Sequence, residues 1–194
     1  MVELKTNAEI DAMAAAGAVV AEALRAVVKH AKPGQTTAEL DKVAAGVLAR
    51  HGAGSPFLNY HPRWAPSPFP AVLCVSVNDA VVHGIPNGEV LADGDLVSVD
   101  FGATLRGWCG DAARSFIVGT PRVQDAALIE ATDKALTAGI AEVRPGQPQR
   151  SRALRRPACC RAAPCMRIHT CPTKAAPARA CGYGPVWSSR SSRC

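Results

Sequence analysis

Two stretches near the start of the chain repeat apolar residues at every third or fourth position, which is the pattern of one helical face. Before each stretch stands a Thr with a Glu three residues later, the spacing of a capping box. After each stretch come residues that end helices, Pro and Gly in the first case and Gly in the second. The sequence therefore predicts two consecutive helices, the first between Thr6-Glu9 and Pro33-Gly34, the second between Thr36-Glu39 and Gly52 or Gly54.

The pattern then changes from helical to strand-like. Residues 54–70 contain five prolines and are predicted to form a loop, whereas residues 71–77 are almost continuously apolar, as in a buried strand. A short strand is predicted over residues 80–86, followed by a polar turn. Two further strands are predicted over residues 97–118, and residues 123–143 have a partly apolar helical face. The predicted order is helix, helix, loop, strands, helix.

The last two strands each carry one aspartate in an apolar context, Asp100 and Asp111. A bend centred between Leu105 and Arg106 would place the two carboxylates directly opposite each other, about 5 Å apart between Cβ atoms. Two such acids favour a divalent cation between them, since hard oxygen ligands suit such ions. The alternative is a pair of turn or surface aspartates, one of them capping a backbone amide.

Two histidines are candidates for chemistry. His83 ends the predicted strand beside Gly84, where a side chain can point into a cleft, and the alternative is an ordinary core histidine. His61 lies in the proline-rich loop. Loops carry functional residues often enough to note it, although an isolated loop histidine is unremarkable.

Composition excludes some classes of protein. The chain of 194 residues has no apolar run near 18 residues, so no membrane span is predicted. Its first residues include acids where a signal peptide has basic residues, and they lack an apolar core, which favours a cytoplasmic location.

The net charge of +6 hides two unlike parts. From residue 151 onward there are eight Arg, one Lys and no acid, a charge of +9, which leaves 13 basic and 16 acidic residues (−3) before it. This tail also holds six of the eight cysteines, at spacings that match no zinc site, and a disulfide framework conflicts with a cytoplasmic location. We therefore divide the chain into residues 1–149 and a basic tail, 150–194, that is disordered or, as we favour, read out of frame.

Three segments of the first part together resemble the type I methionine aminopeptidases. They are Ser76–Pro86, with Asn-Asp and His-Gly-Ile-Pro, then Asp93–Gly102, then Gly107–Gly119. The resemblance covers about residues 1–150. It implies an α/β (α+β) fold, the N-terminal half of a pita-bread aminopeptidase with an antiparallel sheet covered by helices.

The resemblance also implies roles for individual residues. Asp100 and Asp111 would be metal ligands, Asp111 bridging two divalent ions (Co, Mn, Fe or Zn). His83 would be catalytic and contact the substrate, and His61 would be a further substrate-binding residue. The implied activity is removal of the initiator methionine from nascent polypeptides, a step of protein maturation. The expected protein is a monomer that binds neither membrane nor a specific nucleic acid, with the ribosome as a further candidate partner.

The sequence departs from this family in its second part. The family requires a histidine in a Gly-His-Gly segment and two glutamates, but no acid follows Glu142, and His169 lacks the flanking glycines. If the chain folds, we expect the two aspartates to bind metal weakly or one of them to be protonated. The alternatives are an inactive truncated fragment lacking three metal ligands, or a basic-tailed protein that binds nucleic acid or the ribosome. A proline dipeptidase of the same superfamily is a further alternative, which residues 78–86 disfavour.

Overall fold

The computed structural model describes residues 4–63 and 65–143, so the predictions for the tail and for His169 lie outside the described residues. Three strands form one antiparallel sheet in the order β1-β2-β3. Two helices precede the sheet and one follows it. In chain order the elements are α1 (Asn7–His30), α2 (Thr37–His51), β1 (Leu73–Val77), β2 (Leu96–Leu105), β3 (Trp108–Ile117) and α3 (Val123–Ala141).

The first two helices begin where the capping boxes were predicted. The Oγ1 of Thr6 accepts a hydrogen bond from the Glu9 amide, and the Glu9 carboxylate accepts from the Thr6 amide. The same reciprocal pair joins Thr36 and Glu39. Gly52 ends α2 in the left-handed conformation, with φ 58°. Both predicted helices are thus confirmed, because local capping fixes their ends.

The core lies between α1, α2 and one face of the sheet. Alternate residues of β2 point into it and are fully buried, as period-two alternation in a strand requires. The same face of β1 and the inner faces of the two helices complete this cluster. Its largest fully buried side chains are Phe101, Leu40, Leu73, Leu91, Val20, Val27, Val47, Val97, Val99 and Val118.

The hairpin between β2 and β3 has a different register from the predicted one. Its two-residue turn is Arg106-Gly107, both with positive φ (51° and 84°), as in the tight turns that suit twisted strands. The turn centre is therefore one residue later than predicted, and each residue pairs two positions further along. Asp100 pairs with Ala113, and Asp111 pairs with Gly102. The prediction that the two aspartates lie directly opposite each other was therefore wrong. Because side chains alternate between faces, a shift of two residues still leaves both on the same face of the sheet.

The predicted strand over residues 80–86 is also wrong. The segment forms no ladder. Its backbone contacts β1 through two hydrogen bonds, from the Val75 amide to the Gly84 carbonyl, 2.9 Å, and from the Ala80 amide to the Val77 carbonyl, 3.0 Å. Asn78 and His83 have positive φ (49° and 58°), which interrupts an extended conformation. The apolar residues Val81 and Val82 that suggested a strand are exposed.

Helix α1 lies directly against the backbone of β3. A Cβ on Gly110 would be 2.9 Å from the Gly17 nitrogen and 3.0 Å from the carbonyl carbon of Ala16. Helix α3 is different, since it buries none of its residues. Among the described helices, none combines the length and apolar character needed to cross a membrane.

Candidate metal centre

The sheet face opposite the core carries small and polar side chains. This composition follows from the alternation of side chains along a strand, because the residues between the core positions point to the opposite face of the sheet. Ser98 and Ser115 pair directly on this face, with their hydroxyl oxygens 2.8 Å apart. We call this surface the polar face, and by register it comprises Cys74, Ser76, Ser98, Asp100, Gly102, Thr104, Cys109, Asp111, Ala113 and Ser115.

Asp100 and Asp111 meet on the polar face. They lie on neighbouring strands, offset diagonally by one pair, and their carboxyl groups are hydrogen-bonded to each other. Asp100 is half-buried between core positions, and Asp111 is exposed. Burial raises the pKa of the Asp100 carboxyl, while the hydrogen bonds with Asp111 and with the Phe101 backbone act against that rise. Two carboxyl groups in contact without a cation are stabilised by a shared proton.

Cys74 lies beside this pair. It is directly opposite Asp100 in the β1–β2 register. Burial raises the pKa of the Cys74 thiol to about 12, and the negative charges of Asp100, Asp111 and Asp41 add to the rise. Without a metal ion the thiol is therefore neutral at physiological pH and is a poor nucleophile there.

The donors of this site fit a hard divalent cation. Two carboxylates from adjacent strands supply up to four oxygens, and a cation between them would remove the repulsion between their negative charges. The described residues supply no more than this pair, because among residues 4–63 and 65–143 no cluster of three or more His, Cys, Asp or Glu side chains is placed to hold a metal ion.

His83 is exposed and sits in a segment held tightly against β1. A Cβ on the next residue, Gly84, would be 1.9 Å from the Val75 carbonyl oxygen, so only glycine permits this approach. The Gly84 amide donates a hydrogen bond to the Oγ of Ser76, 3.2 Å, which belongs to the polar face. The structure therefore brings the backbone beside His83 to the sheet face that carries both aspartates.

His61 lies in a closed loop. The backbone hydrogen bonds Asn59 N–H to Phe69 O, 2.8 Å, and Phe69 N–H to Tyr60 O, 2.9 Å, join the two ends of that loop. The His61 Nε2 is 3.1 Å from the carbonyl oxygen of Ala65 within it. Earlier in the same proline-rich segment, Pro56 and Phe57 pack over Gly102 on the polar face. The segment thus borders the site, and the substrate role of His61 stays a prediction.

Two residues that position the site were missed by the sequence reasoning. Asp41 of α2 accepts hydrogen bonds from the amides of Val72 and Leu73, both 2.9 Å, and so fixes the start of β1. Ser76 holds the Gly84 amide. Ser76 had a signal in the sequence, because it interrupts an otherwise apolar run, whereas nothing local marked Asp41 as a partner for residues some thirty positions away.

Comparison with known proteins defines the class. Residues 11–153 match the family described as Metallopeptidase family M24, and the chain belongs to that family. The order of capped helices, antiparallel sheet and paired aspartates is thus that of the N-terminal part of a pita-bread fold.

Among individual proteins, the chain is 53% identical over 142 residues to methionine aminopeptidase 1 of Mycobacterium tuberculosis, covering 73% of this chain and 51% of that protein. It superposes on the crystal structure of methionine aminopeptidase from Rickettsia prowazekii with a TM-score of 0.70 and 37% identity, covering 75% and 56% of the two chains. A prolidase from Pyrococcus horikoshii shares the fold, with a TM-score of 0.62 at 21% identity. The chain spans about half the length of the relatives it matches.

Proposed function

We propose that this chain supplies the Asp100–Asp111 part of a divalent metal centre whose function is the removal of N-terminal methionine from polypeptides. The observation that carries the proposal is the contact of the two carboxyl groups on the polar face, beside Cys74 and the segment of His83. The methionine aminopeptidases at 37–53% identity support the substrate class.

Each residue has a defined task in this proposal. Asp100 and Asp111 would hold the cation, and Asp111 is the more exposed of the two. His83 contacts the substrate near the scissile amide, where an imidazole can donate a hydrogen bond to a developing negative charge or move a proton. His61 borders the substrate from the proline-rich loop. Hydroxide at neutral pH is the chemistry that divalent ions supply in such a centre.

Calorimetric titration of the full chain with Mn²⁺ tests the centre. We expect one weak binding event that Asp100→Asn and Asp111→Asn each abolish. Asp133→Asn is the matched control, because Asp133 is an exposed acid on α3, and it should leave the titration unchanged. Binding that survives both site variants would place the cation elsewhere and refute the proposed centre.

The alternative function is non-catalytic. It is favoured by the number of ligands: the described residues bring two carboxylates together and no third ligand. Methionine release from a Met-Ala-Ser peptide with added Co²⁺ or Mn²⁺ separates the two. Release that Asp111→Ala abolishes supports catalysis by this chain. Metal binding without release supports a metal-binding fragment that has lost turnover.

A further inference from the structure

Two hydroxyl side chains are buried in the described part of the molecule, Ser76 (4% exposed) and Thr37 (2% exposed). Burying a hydroxyl raises the free energy of the folded state unless the group is hydrogen-bonded, so its hydrogen-bond partner indicates what the residue holds in place. Ser76 accepts from the Gly84 amide, 3.2 Å. Thr37 accepts from the Asn87 amide, 2.9 Å, and donates to the Asn87 carbonyl, 3.0 Å. Both hydroxyls therefore hold the same short segment, residues 84–87, which directly follows His83.

The bond from Ser76 fixes the side of the sheet on which this segment lies. In β1, Ser76 alternates with the core residue Val75 and so shares a face with Cys74, which is paired with Asp100. A hydrogen bond to the Ser76 side chain draws the Gly84 amide towards the polar face. The second bond, from the Val75 amide to the Gly84 carbonyl, 2.9 Å, holds the same residue to the edge of β1.

We propose that Ser76 is a positioning residue for His83: with Gly84, it forms a clamp that fixes the His83 backbone beside the aspartate pair. The left-handed conformation of His83, φ 58°, fits this role, since a non-glycine residue holds that conformation only where its surroundings impose it. The inference rests on the proposed function for the task of His83, but the clamp itself is a property of the described chain.

The test uses the full chain, labelled with ¹⁵N and ¹³C, without metal in the first arm. Amide exchange of Gly84 and residual dipolar couplings of His83 are measured in wild type, Ser76→Ala and Ser98→Ala. Ser98 is the matched control, because it is a serine on the same face, directly opposite Ser76, whose hydroxyl bonds to Ser115 instead. We expect Ser76→Ala to speed Gly84 exchange about fivefold, the loss of one hydrogen bond, and to change the His83 couplings. Ser98→Ala should change neither.

The second arm adds Mn²⁺, which broadens the imidazole resonances of nearby histidines. In wild type we expect stronger broadening at His83 than at His30, which lies at the end of α1. In Ser76→Ala this difference in broadening should fall at least twofold, while the affinity for Mn²⁺ stays unchanged. Gly84→Ala is the second variant, because its Cβ would displace the segment from the Val75 carbonyl, and it should give the same loss.

The outcomes separate the clamp from the proposed function. Unchanged Gly84 exchange and His83 couplings in Ser76→Ala overturn the clamp, and so does a loss of exchange protection throughout the molecule, which would indicate a merely structural role. Mn²⁺ that binds but broadens His83 no more than His30 also overturns the positioning of His83. Absence of Mn²⁺ binding to wild type instead refutes the proposed metal centre, and the metal-free couplings then decide the clamp.

Discussion

The contact between α1 and β3 predicts opposite effects for two glycines that face each other. In Gly110→Ala, the new Cβ would lie 2.9–3.0 Å from backbone atoms of Ala16 and Gly17. Carbon atoms normally approach to about 3.5–4.0 Å, so the helix must move away from the strand. In Gly17→Ala, the new Cβ points into open space, with no atom within 4 Å.

The magnitudes follow from these distances. Overpacking a rigid contact costs about 1–3 kcal/mol, and replacing a glycine within a strand recovers about 0.5–1 kcal/mol, which leaves Gly110→Ala less stable by about 1–2 kcal/mol. Gly17→Ala removes a glycine from the interior of a helix and should stabilise the fold by about 1 kcal/mol. The two variants should therefore differ by about 2–3 kcal/mol in free energy of unfolding.

Urea unfolding of the full chain, followed by circular dichroism at 222 nm, measures this difference. With a urea dependence of about 1.5–2 kcal/mol per M, the midpoints should lie more than ~1 M apart, with wild type between them. A Gly110→Ala variant as stable as wild type would refute the reasoning, because it would mean that the helix does not rest on the strand backbone.

Three further predictions concern the site and its support. Asp41→Ala should destabilise the fold by about 2–3 kcal/mol in urea unfolding, because it leaves the amides of Val72 and Leu73 without their acceptor, and Asp41→Asn, which keeps an acceptor oxygen, should cost less. Because burial raises the pKa of Asp100 in the folded chain, the free energy of unfolding without metal should fall as pH rises through that pKa. Asp100→Asn should remove this fall and be more stable than wild type at pH 7. The same pH profile in the variant and in wild type would contradict this prediction. Since the thiol of Cys74 has a pKa of about 12, iodoacetamide at pH 8.5 should label Cys74 by peptide mass spectrometry in urea but not in the native chain, and native labelling would show that the sheet opens there.

The fold was predictable where the determinants are local. The capping boxes at Thr6 and Thr36 each join residues only three positions apart, and the continuous apolar run of β1 indicates a buried strand. The turn at Arg106-Gly107 was not recognised as a tight turn, because arginine rarely adopts positive φ, and the predicted register was therefore wrong by two residues. The apolar residues of 80–86 suggested a strand, but their backbone is set by a contact with β1 that is distant in the sequence.

The candidate site was predictable in its residue types and less so in its geometry. Asp100 and Asp111 stood out because each is an acid in an apolar strand, and they do meet in the structure. The supports of the site, Asp41 and Ser76, act across 8 to 32 positions of sequence, where no periodicity reports a pairing. The metal, catalytic and substrate roles of the site residues stay predictions.

Strand β2 contributes to the core with one face and to the candidate metal centre with the other, since Val99 and Phe101, on either side of Asp100, are fully buried in the core. The two sides of this strand cannot be changed independently, since any shift that repacks Phe101 also moves the neighbouring carboxylate. Ligand binding and folding are therefore thermodynamically linked here: a cation held only by the folded pair raises the free energy of unfolding, and at a given concentration a more tightly bound cation raises it more. A simple thermal melt, repeated across a series of divalent ions, would rank this chain's metal preference without any substrate.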